Sequence, residues 1–193
     1  DDPKEQEKAL DVIDVYSHKP AVGEAAKLAA LGANDAVKQR AADVAKKLGV
    51  KHELVPVVTT NRMEFLEQGK IDLMIATMSD TPARRKVVQA IDPVYYADFV
   101  NVLLKKGAGI KSWEDLKGKK VCATTGAWYN KPVSEKYSPE LVAFDGSEKP
   151  LLSLKSGDCI GYLYDQTFVV GKLLDNDWKA GFEMPLPGIM EAP

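Results

Sequence analysis

Short apolar runs alternate with segments of helical spacing along most of this sequence, and this alternation limits the fold more than any other feature. Strands that are buried on both faces of a sheet have continuous hydrophobic sequences. The alternation therefore predicts an α/β fold in which mostly parallel sheets are flanked by helices, and it restarts near residue 100, which predicts two successive units. The predicted strands are residues 53–58, 71–76, 100–104, 121–124, 141–144 and 159–164, and the predicted helices are residues 63–68, 113–116, 148–155, 167–174 and a segment that ends near Tyr137.

The first part of the chain holds two further predicted helices. Residues 36–48 place their apolar side chains on one face and end at Gly49, a pattern typical of a helix. Residues 24–31 are rich in alanine and end at Gly32, so they predict a short helix with a glycine C-cap. Residues 8–16 fit either an amphipathic helix or a strand, and we favour the helix.

Composition and charge exclude several classes of partner. The sequence is 45% hydrophobic and 28% charged, as in ordinary soluble globular proteins. A formal net charge of -2 provides no basic field for nucleic acid or for an anionic membrane surface. No apolar stretch approaches the roughly 20 residues of a membrane helix. The chain begins at Asp1 without the charged and apolar regions of a signal peptide, so such a signal was either removed or never present.

The two cysteines, Cys122 and Cys159, are too few for a disulfide scaffold, and their spacing matches no zinc pattern. They fall on two predicted strands that the fold could place side by side. Either a disulfide or a pair of buried thiols is compatible with that placement.

A series of motifs in a fixed order carries a resemblance to a known family. The most informative pair is ATMSDTPARR at residues 76–85 followed by DPVYY at residues 92–96. From about residue 36 to residue 193, the chain resembles the amino-acid-binding members of the type II periplasmic solute-binding proteins, family 3, which serve bacterial amino-acid ABC transporters. The other motifs that fit are KKLGV at 46–50, ELVPV at 53–57, NR at 61–62, GKIDL at 69–73, DLKGKKV at 115–121 and the segment 157–165.

The resemblance implies a non-enzymatic clamp of two α/β lobes, joined by two crossing segments, with the ligand in the cleft between them. On this basis lobe 1 covers residues 1–99, lobe 2 covers residues 100–187, and residues 188–193 return toward lobe 1. The implied function is capture of a free α-amino acid by hinge closure in the periplasm or another extracytoplasmic space, and delivery to a membrane permease. The resemblance implies a monomer that needs no cofactor and no metal.

The first 35 residues and the end of the chain depart from the family pattern. Family members normally open with a strand and an aromatic-bearing loop that covers the ligand, and they continue past the return crossing with a strand and two helices. One interpretation takes residues 9–16 as the opening strand and residues 17–23 as a degenerate loop. The other takes residues 1–34 as the missing carboxyl-terminal helical pair, moved to the front by circular permutation. A helix at residues 24–31 favours the permutation, which would remove the aromatic lid.

The family resemblance assigns the ligand carboxylate to residues that follow the strand at 71–76. Arg84 matches the carboxylate-binding arginine, whose planar fork suits two carboxylate oxygens in a way that lysine cannot. Thr77 and Ser79 match positions that bind the same carboxylate, and a helix that begins near Thr81 would point its positive end at the anion. The simpler interpretations are a surface arginine at a helix start and plain helix capping by Ser79 or Thr81. Arg85 is expected to be a solvated neighbour.

The resemblance assigns the ligand ammonium to lobe 2. Asp165, at the carboxyl end of the strand at 159–164, matches the ammonium-binding aspartate, and its alternative role is the N-cap of the next helix. Thr125 and Gly126 fall at the corresponding end of a neighbouring strand, where glycine allows a close backbone approach.

Ligand selectivity is less accessible from the sequence, because the side-chain contacts come from several variable loops. The candidates are Tyr16, Asn61, Trp128 and Tyr129, and aromatic residues more often serve packing than ligand contact. Because the family is exported, the resemblance also favours a disulfide between the two cysteines.

Catalytic motifs are missing from the sequence, which has no glycine-rich phosphate loop, no HExxH and no GxSxG. Two alternatives on the same scaffold stay open. One is a cyclohexadienyl-dehydratase-like enzyme that uses a cleft carboxylate such as Glu183 or Glu191, and the other is a ligand-sensing module. Product formation would separate the enzyme from the other two.

Overall fold

The computed structural model describes residues 25–30, 42, 46, 49, 51–75, 78–91 and 97–192, and the element labels below apply to these residues. The chain divides into two compact units, which we call unit 1 and unit 2. Unit 1 is Asp1–Ala97 together with Pro193, and unit 2 is Asp98–Ala192.

Unit 1 contains a parallel sheet of three strands in the order β2-β1-β3. Helix α1 joins β2 to β3, so the predicted strand-helix-strand order of this region is confirmed with shifted ends. Val57 and Ile71 are buried here, and Phe65 of α1 packs against them. The elements are β1 (Ala25–Ala30), β2 (Lys51–Pro56), α1 (Arg62–Glu67) and β3 (Leu73–Ile75).

The helix predicted over residues 24–31 is wrong, because β1 occupies this segment at the centre of the sheet. Its six residues pair with all of β2 on one side, and residues 28–30 pair with β3 on the other. Alanine and leucine favour a helix locally, but hydrogen bonding to strands on both sides outweighs a small intrinsic propensity. The permuted arrangement thereby loses the helix that favoured it. Residues 9–16 and 17–23, on which the other interpretation depends, lie outside the described residues.

The helix predicted over residues 36–48 is described only at Ala42 and Lys46, and both are helical. Gly49 follows with φ at 69°, and its N–H donates to the carbonyl of Lys46 at 3.1 Å. A positive φ costs glycine little, so the residue suits the turn predicted for it.

Unit 2 contains a mixed sheet of strand order β6-β5-β7-β4-β8, with β9 also paired to β4. Strand β5 is parallel to β6 and β7, whereas β4 is antiparallel to β7, β8 and β9. The α/β class is confirmed, and β4 makes this sheet less parallel than the apolar runs suggest. The strands are β4 (Asp98–Lys105), β5 (Lys120–Thr124), β6 (Glu140–Phe144), β7 (Gly161–Asp165), β8 (Phe182–Glu183) and β9 (Ile189–Ala192).

The helices of unit 2 begin and end at residues that suit those positions. Asp115 accepts the N–H of Ser112 at 2.8 Å in a capping box that starts the 3-10 helix Trp113–Leu116. Gly157, with φ at 90°, ends helix α3 (Glu148–Ser156). Helix α5 was not predicted from the sequence. The α-helices are α2 (Asn130–Tyr137), α3 (Glu148–Ser156), α4 (Gln166–Leu174) and α5 (Asn176–Gly181).

The sheet of unit 2 is buried on both faces, which explains its continuous apolar strands. Val102 and Leu104 belong to one buried cluster, and Leu103 between them belongs to another. Successive side chains of a strand point to opposite faces, so the two clusters cover the two sides of β4.

A disulfide joins Cys122 of β5 to Cys159, which lies just before β7, with a Cα–Cα distance of 5.6 Å. Both residues are buried in the cluster that contains Leu103. Of the two alternatives left open by the sequence, the structure selects the disulfide.

Candidate functional site

The segment after β3 in unit 1 holds the predicted carboxylate-binding residues. The half-buried Arg84 donates from Nη1 to the carbonyl oxygen of Ser79 at 2.7 Å, so the structure brings these two predicted residues together. Thr81 Oγ1 accepts the backbone N–H of Arg84 at 3.3 Å, across the turn that leads into the next 3-10 helix. Thr77 lies outside the described residues.

The helix expected near Thr81 is a single 3-10 turn, Arg84–Lys86. So short a turn carries little of the dipole that favours anions at a helix N-terminus, because that dipole sums over aligned peptide units. At this turn the positive charge lies on the arginine side chains rather than on a helix dipole. The exposed Arg85 forms an ion pair with Asp80, with Nε 2.8 Å from Oδ1. The two neighbouring arginines therefore have different surroundings.

The carboxyl end of β5 in unit 2 leads into the predicted Thr125-Gly126 turn. Thr125 N–H donates to the carbonyl of Phe144 at 2.8 Å, and Gly126 has φ at 78°. The Asn130 side-chain amide donates to the carbonyl of Thr124 at 2.8 Å, which fixes the start of this turn. Glycine is needed at a positive φ of this size, where other residues are strained.

Asp165 lies at the end of β7 in the N-cap position of α4, yet its side chain makes no capping hydrogen bond to that helix. Asp98 of β4 provides the cap instead. Its Oδ2 accepts the Thr167 N–H at 3.1 Å and the Thr167 hydroxyl at 2.7 Å. The alternative role weighed for Asp165, the helix cap, therefore belongs to Asp98.

The structure places the three predicted residues of unit 2 at one edge of its sheet. Strands β5 and β7 are parallel neighbours, with Cys122 paired with Tyr162. Thr125, Gly126 and Asp165 follow or end these two strands, so they lie at the same carboxyl edge. In α/β sheets this edge is where ligands commonly bind.

A buried hydrogen bond supports this edge from within. Thr124 Oγ1 and the Tyr162 hydroxyl are 2.7 Å apart, and both residues are almost fully buried. Burial raises the pKa of the Tyr162 hydroxyl above its usual range, so the group stays protonated. Sequence analysis missed this pair, since both residues lie within apolar runs that read as plain strands.

The candidates for ligand selectivity fall into different environments. Tyr129 is only 3% exposed in the core of unit 2, with its ring edge-on to Trp128 at 5.9 Å between centroids. Asn61 Oδ1 accepts the Val58 N–H at 2.8 Å at the start of α1. These contacts give Tyr129 a role in core packing and Asn61 a role in the turn before α1. Tyr16 lies outside the described residues.

Among the described residues, no group of His, Cys, Asp and Glu side chains is arranged to hold a metal ion. Within the same residues no helix is long and apolar enough to cross a membrane.

Comparison with known proteins identifies the family to which these two α/β units belong. Residues 39–180 match bacterial extracellular solute-binding proteins, family 3. The chain belongs to this family, and the members of the family are substrate-binding proteins. The family and the type II fold predicted from the motifs are confirmed.

Individual relatives give the scale of the similarity. The glutamine-binding protein GlnH of an ABC transporter from Bacillus subtilis is 35% identical over 147 residues, which is 74% of this chain and 52% of that protein. The arginine-binding extracellular protein ArtP from Bacillus subtilis is 30% identical over 147 residues, which is 74% of this chain and 56% of that protein. The chain thus spans about half the length of the curated relatives it matches.

Solved structures show the same fold. An ancestral arginine-binding protein bound to glutamine has a TM-score of 0.74 and 28% identity, over 89% of this chain and 84% of that one. Truncated, arginine-bound ArgBP from T. maritima has a TM-score of 0.76 and 22% identity, over 88% and 85% of the two chains.

Proposed function

We propose that this chain binds a free α-amino acid outside the cytoplasmic membrane and presents it to the permease of an ABC transporter. The observation that carries the proposal is the placement of a cationic side chain in the segment after one strand, and of an acidic side chain at the end of another, in a family 3 chain. Arg84 follows β3 of unit 1, and Asp165 ends β7 of unit 2. An α-amino acid has one carboxylate and one ammonium group, and each needs a partner of the opposite charge.

The ligand carboxylate is the proposed partner of Arg84. The bond from Nη1 to the carbonyl of Ser79 orients the guanidinium plane, so less side-chain entropy is lost when a ligand binds. We also propose Ser79 and Thr77 as donors to the same carboxylate.

The ligand ammonium is the proposed partner of Asp165, with the Thr125-Gly126 turn beside it at the same sheet edge. Asp98 caps helix α4, and Asp165 lies at the end of β7, directly before that helix. The turn would bring backbone groups close to the ligand, because Gly126 has no side chain to block the approach.

We propose that units 1 and 2 act as the two lobes of the clamp and that the ligand is held by groups from both. Closure would remove water from the Arg84 and Asp165 contacts and would strengthen each of them by lowering the local dielectric constant. Arg84 belongs to unit 1 and Asp165 to unit 2, so in this proposal each unit supplies one of the two charges.

An extracytoplasmic location is supported by the Cys122–Cys159 disulfide, because such bonds persist mainly in oxidising compartments. We propose that the chain acts there as a monomer. Relatives named for glutamine and arginine make these two the first ligands to test.

We propose a binding protein rather than an enzyme of the dehydratase kind. Glu183 pairs with Leu104, which also pairs with Gly161 at the start of β7. Asp165 is at the opposite end of β7, so Glu183 lies at the other edge of the sheet from the proposed ligand groups. The side chain of Glu191 lies outside the described residues.

The test is calorimetric titration of the 193-residue chain with L-glutamine, L-arginine and the other common amino acids, beside two matched variants. Arg84→Ala should abolish binding or weaken it by at least about a hundredfold, the typical loss when one partner of a desolvated charge pair is removed. Arg85→Ala removes the same charge one residue away and should bind as the wild type does. An equal loss in both variants, or no heat of binding with any amino acid in the wild-type protein, would rule out the proposal.

A further inference from the structure

The first turn of helix α4, directly after Asp165, is tied to strand β4 by side-chain hydrogen bonds. Asp98 Oδ2 accepts both the N–H and the hydroxyl of Thr167, at 3.1 and 2.7 Å. The first N–H groups of any helix have no partner within the helix, and a carboxylate there also suits the positive end of the helix dipole. Asp98 therefore keeps this turn from fraying.

A second tie runs through Asn101, also on β4, which is fully buried. Its Nδ2 donates to Gln166 Oε1 at 3.0 Å and to the carbonyl of Leu186 at 3.1 Å, and its Oδ1 accepts the Val102 N–H at 2.8 Å. One amide thus joins β4, the first residue of α4 and the segment that leads to β9. A buried polar side chain that satisfies this many partners is costly to replace.

Gly188 packs so tightly against the same point that it has no room for a side chain. A Cβ added there would lie 2.3 Å from Gln166 Oε1 and 2.7 Å from Phe99 Cβ. The segment before β9 therefore packs directly against the first turn of α4, at the Gln166 side chain that is hydrogen-bonded to Asn101.

These ties meet where the chain enters and leaves unit 2. Asp98 is the first residue of unit 2 and is paired with Ala192, the last residue of that unit. Strand β4, which carries the chain in, and the segment around Gly188, which carries it out, both hold the start of α4.

We infer that Asp98 and Asn101 are positioning residues for ligand binding, which hold the first turn of α4 so that Asp165 keeps its carboxylate set for the ligand ammonium. This inference rests on the proposed function. The backbone of Asp165 is fixed by β7 on one side and by Gln166 and Thr167 on the other. Release of the first helical turn frees one of these sides, and a small misplacement of a charged partner weakens its contact with the ligand.

The matched control is a second N-cap in the same unit. Asp175 Oδ1 accepts the Asp177 N–H at 2.9 Å at the start of α5, so Asp175→Ala removes the same kind of bond at a helix that does not follow a proposed ligand residue. Both Asp98→Ala and Asp175→Ala should lower the melting temperature of the unligated chain, and Asp98→Ala should lower it more because Asp98 also accepts the Thr167 hydroxyl and the Phe99 N–H.

Affinity separates the two variants. In calorimetric titrations with L-glutamine and L-arginine, Asp98→Ala should raise Kd by roughly fivefold or more, the change expected when a cap of ordinary strength is lost from the binding-competent form. Asp175→Ala should keep the wild-type Kd. Thr167→Val is a milder change that keeps the backbone bond to Asp98, so it should raise Kd less than Asp98→Ala does. Thr167→Ser retains the hydroxyl and should keep the wild-type Kd.

The possible outcomes distinguish a failure of this inference from a failure of the proposed function. A wild-type Kd in Asp98→Ala and Thr167→Val overturns the positioning role alone, as does an equal rise in Kd in Asp98→Ala and Asp175→Ala. No binding of either amino acid by the wild-type chain overturns the proposed function, and the positioning role with it.

Discussion

Reduction of the Cys122–Cys159 disulfide should destabilise unit 2 by an amount that follows from its position in the chain. The two cysteines are 37 residues apart. The chain-entropy relation for a loop of this length gives about 4 kcal/mol at 25 °C, mainly by restricting the unfolded chain. At about 2 to 4 °C per kcal/mol for a protein of this size, the melting temperature should fall by about 8 to 15 °C.

Tryptophan fluorescence reports this change selectively, because all three tryptophans lie in unit 2. Trp113 and Trp178 are buried on opposite faces of the sheet, in the two core clusters, so their emission follows the loss of tertiary packing there. Urea or thermal unfolding would be followed by this emission with and without dithiothreitol.

The control is the Cys122→Ala/Cys159→Ala variant, whose unfolding should not respond to dithiothreitol. A thiol titration that finds two reactive cysteines in the unfolded, unreduced protein would contradict the bond itself. An unchanged unfolding midpoint after complete reduction would contradict the reasoning about loop entropy.

Two further changes test contacts within unit 2. Tyr162→Phe removes the hydroxyl that bonds to the buried Thr124 at 2.7 Å and leaves the Thr124 hydroxyl only its longer bond to the Gly146 carbonyl, at 3.5 Å. Urea unfolding should show a loss of about 1 to 2 kcal/mol, and no measurable loss would contradict the bond. The pKa of Asp115 is lowered by backbone hydrogen bonds from Lys111 and Ser112, so its charged form is favoured by folding. The stability advantage of the wild type over Asp115→Asn should be complete above about pH 4 and should vanish as the pH falls through the folded-state pKa of Asp115. Carboxyl groups titrate roughly between pH 2 and 6, so an advantage that is independent of pH over this range would refute the assignment.

Sequence patterns predicted those parts of unit 2 in which local and long-range preferences agree. Strand β4 has a continuous apolar run because Val102 and Leu104 are buried on one face and Leu103 on the other. The capping box at Ser112 and Asp115 and the glycine stop at Gly157 involve residues a few positions apart, so their signals are complete within the local sequence.

The candidate site was predictable only as far as the family motifs extend. The motifs identified Arg84 and Asp165, and the structure places Arg84 in the 3-10 turn that follows β3 and Asp165 at the end of β7. They did not identify Asp98 or Asn101, because the partners of these residues are distant in the chain. Asp98 is 69 residues from Thr167, and no local pattern indicates such a pairing.

The sequence by itself determined the α/β class, the family and most of the elements after residue 50. Tertiary structure alone decided that residues 25–30 form the central strand of unit 1 and that Asp98 rather than Asp165 caps α4. The physical reason is common to both cases. An alanine-rich segment and an aspartate before a helix each have a favourable local arrangement, and only contacts with distant strands make another arrangement lower in free energy.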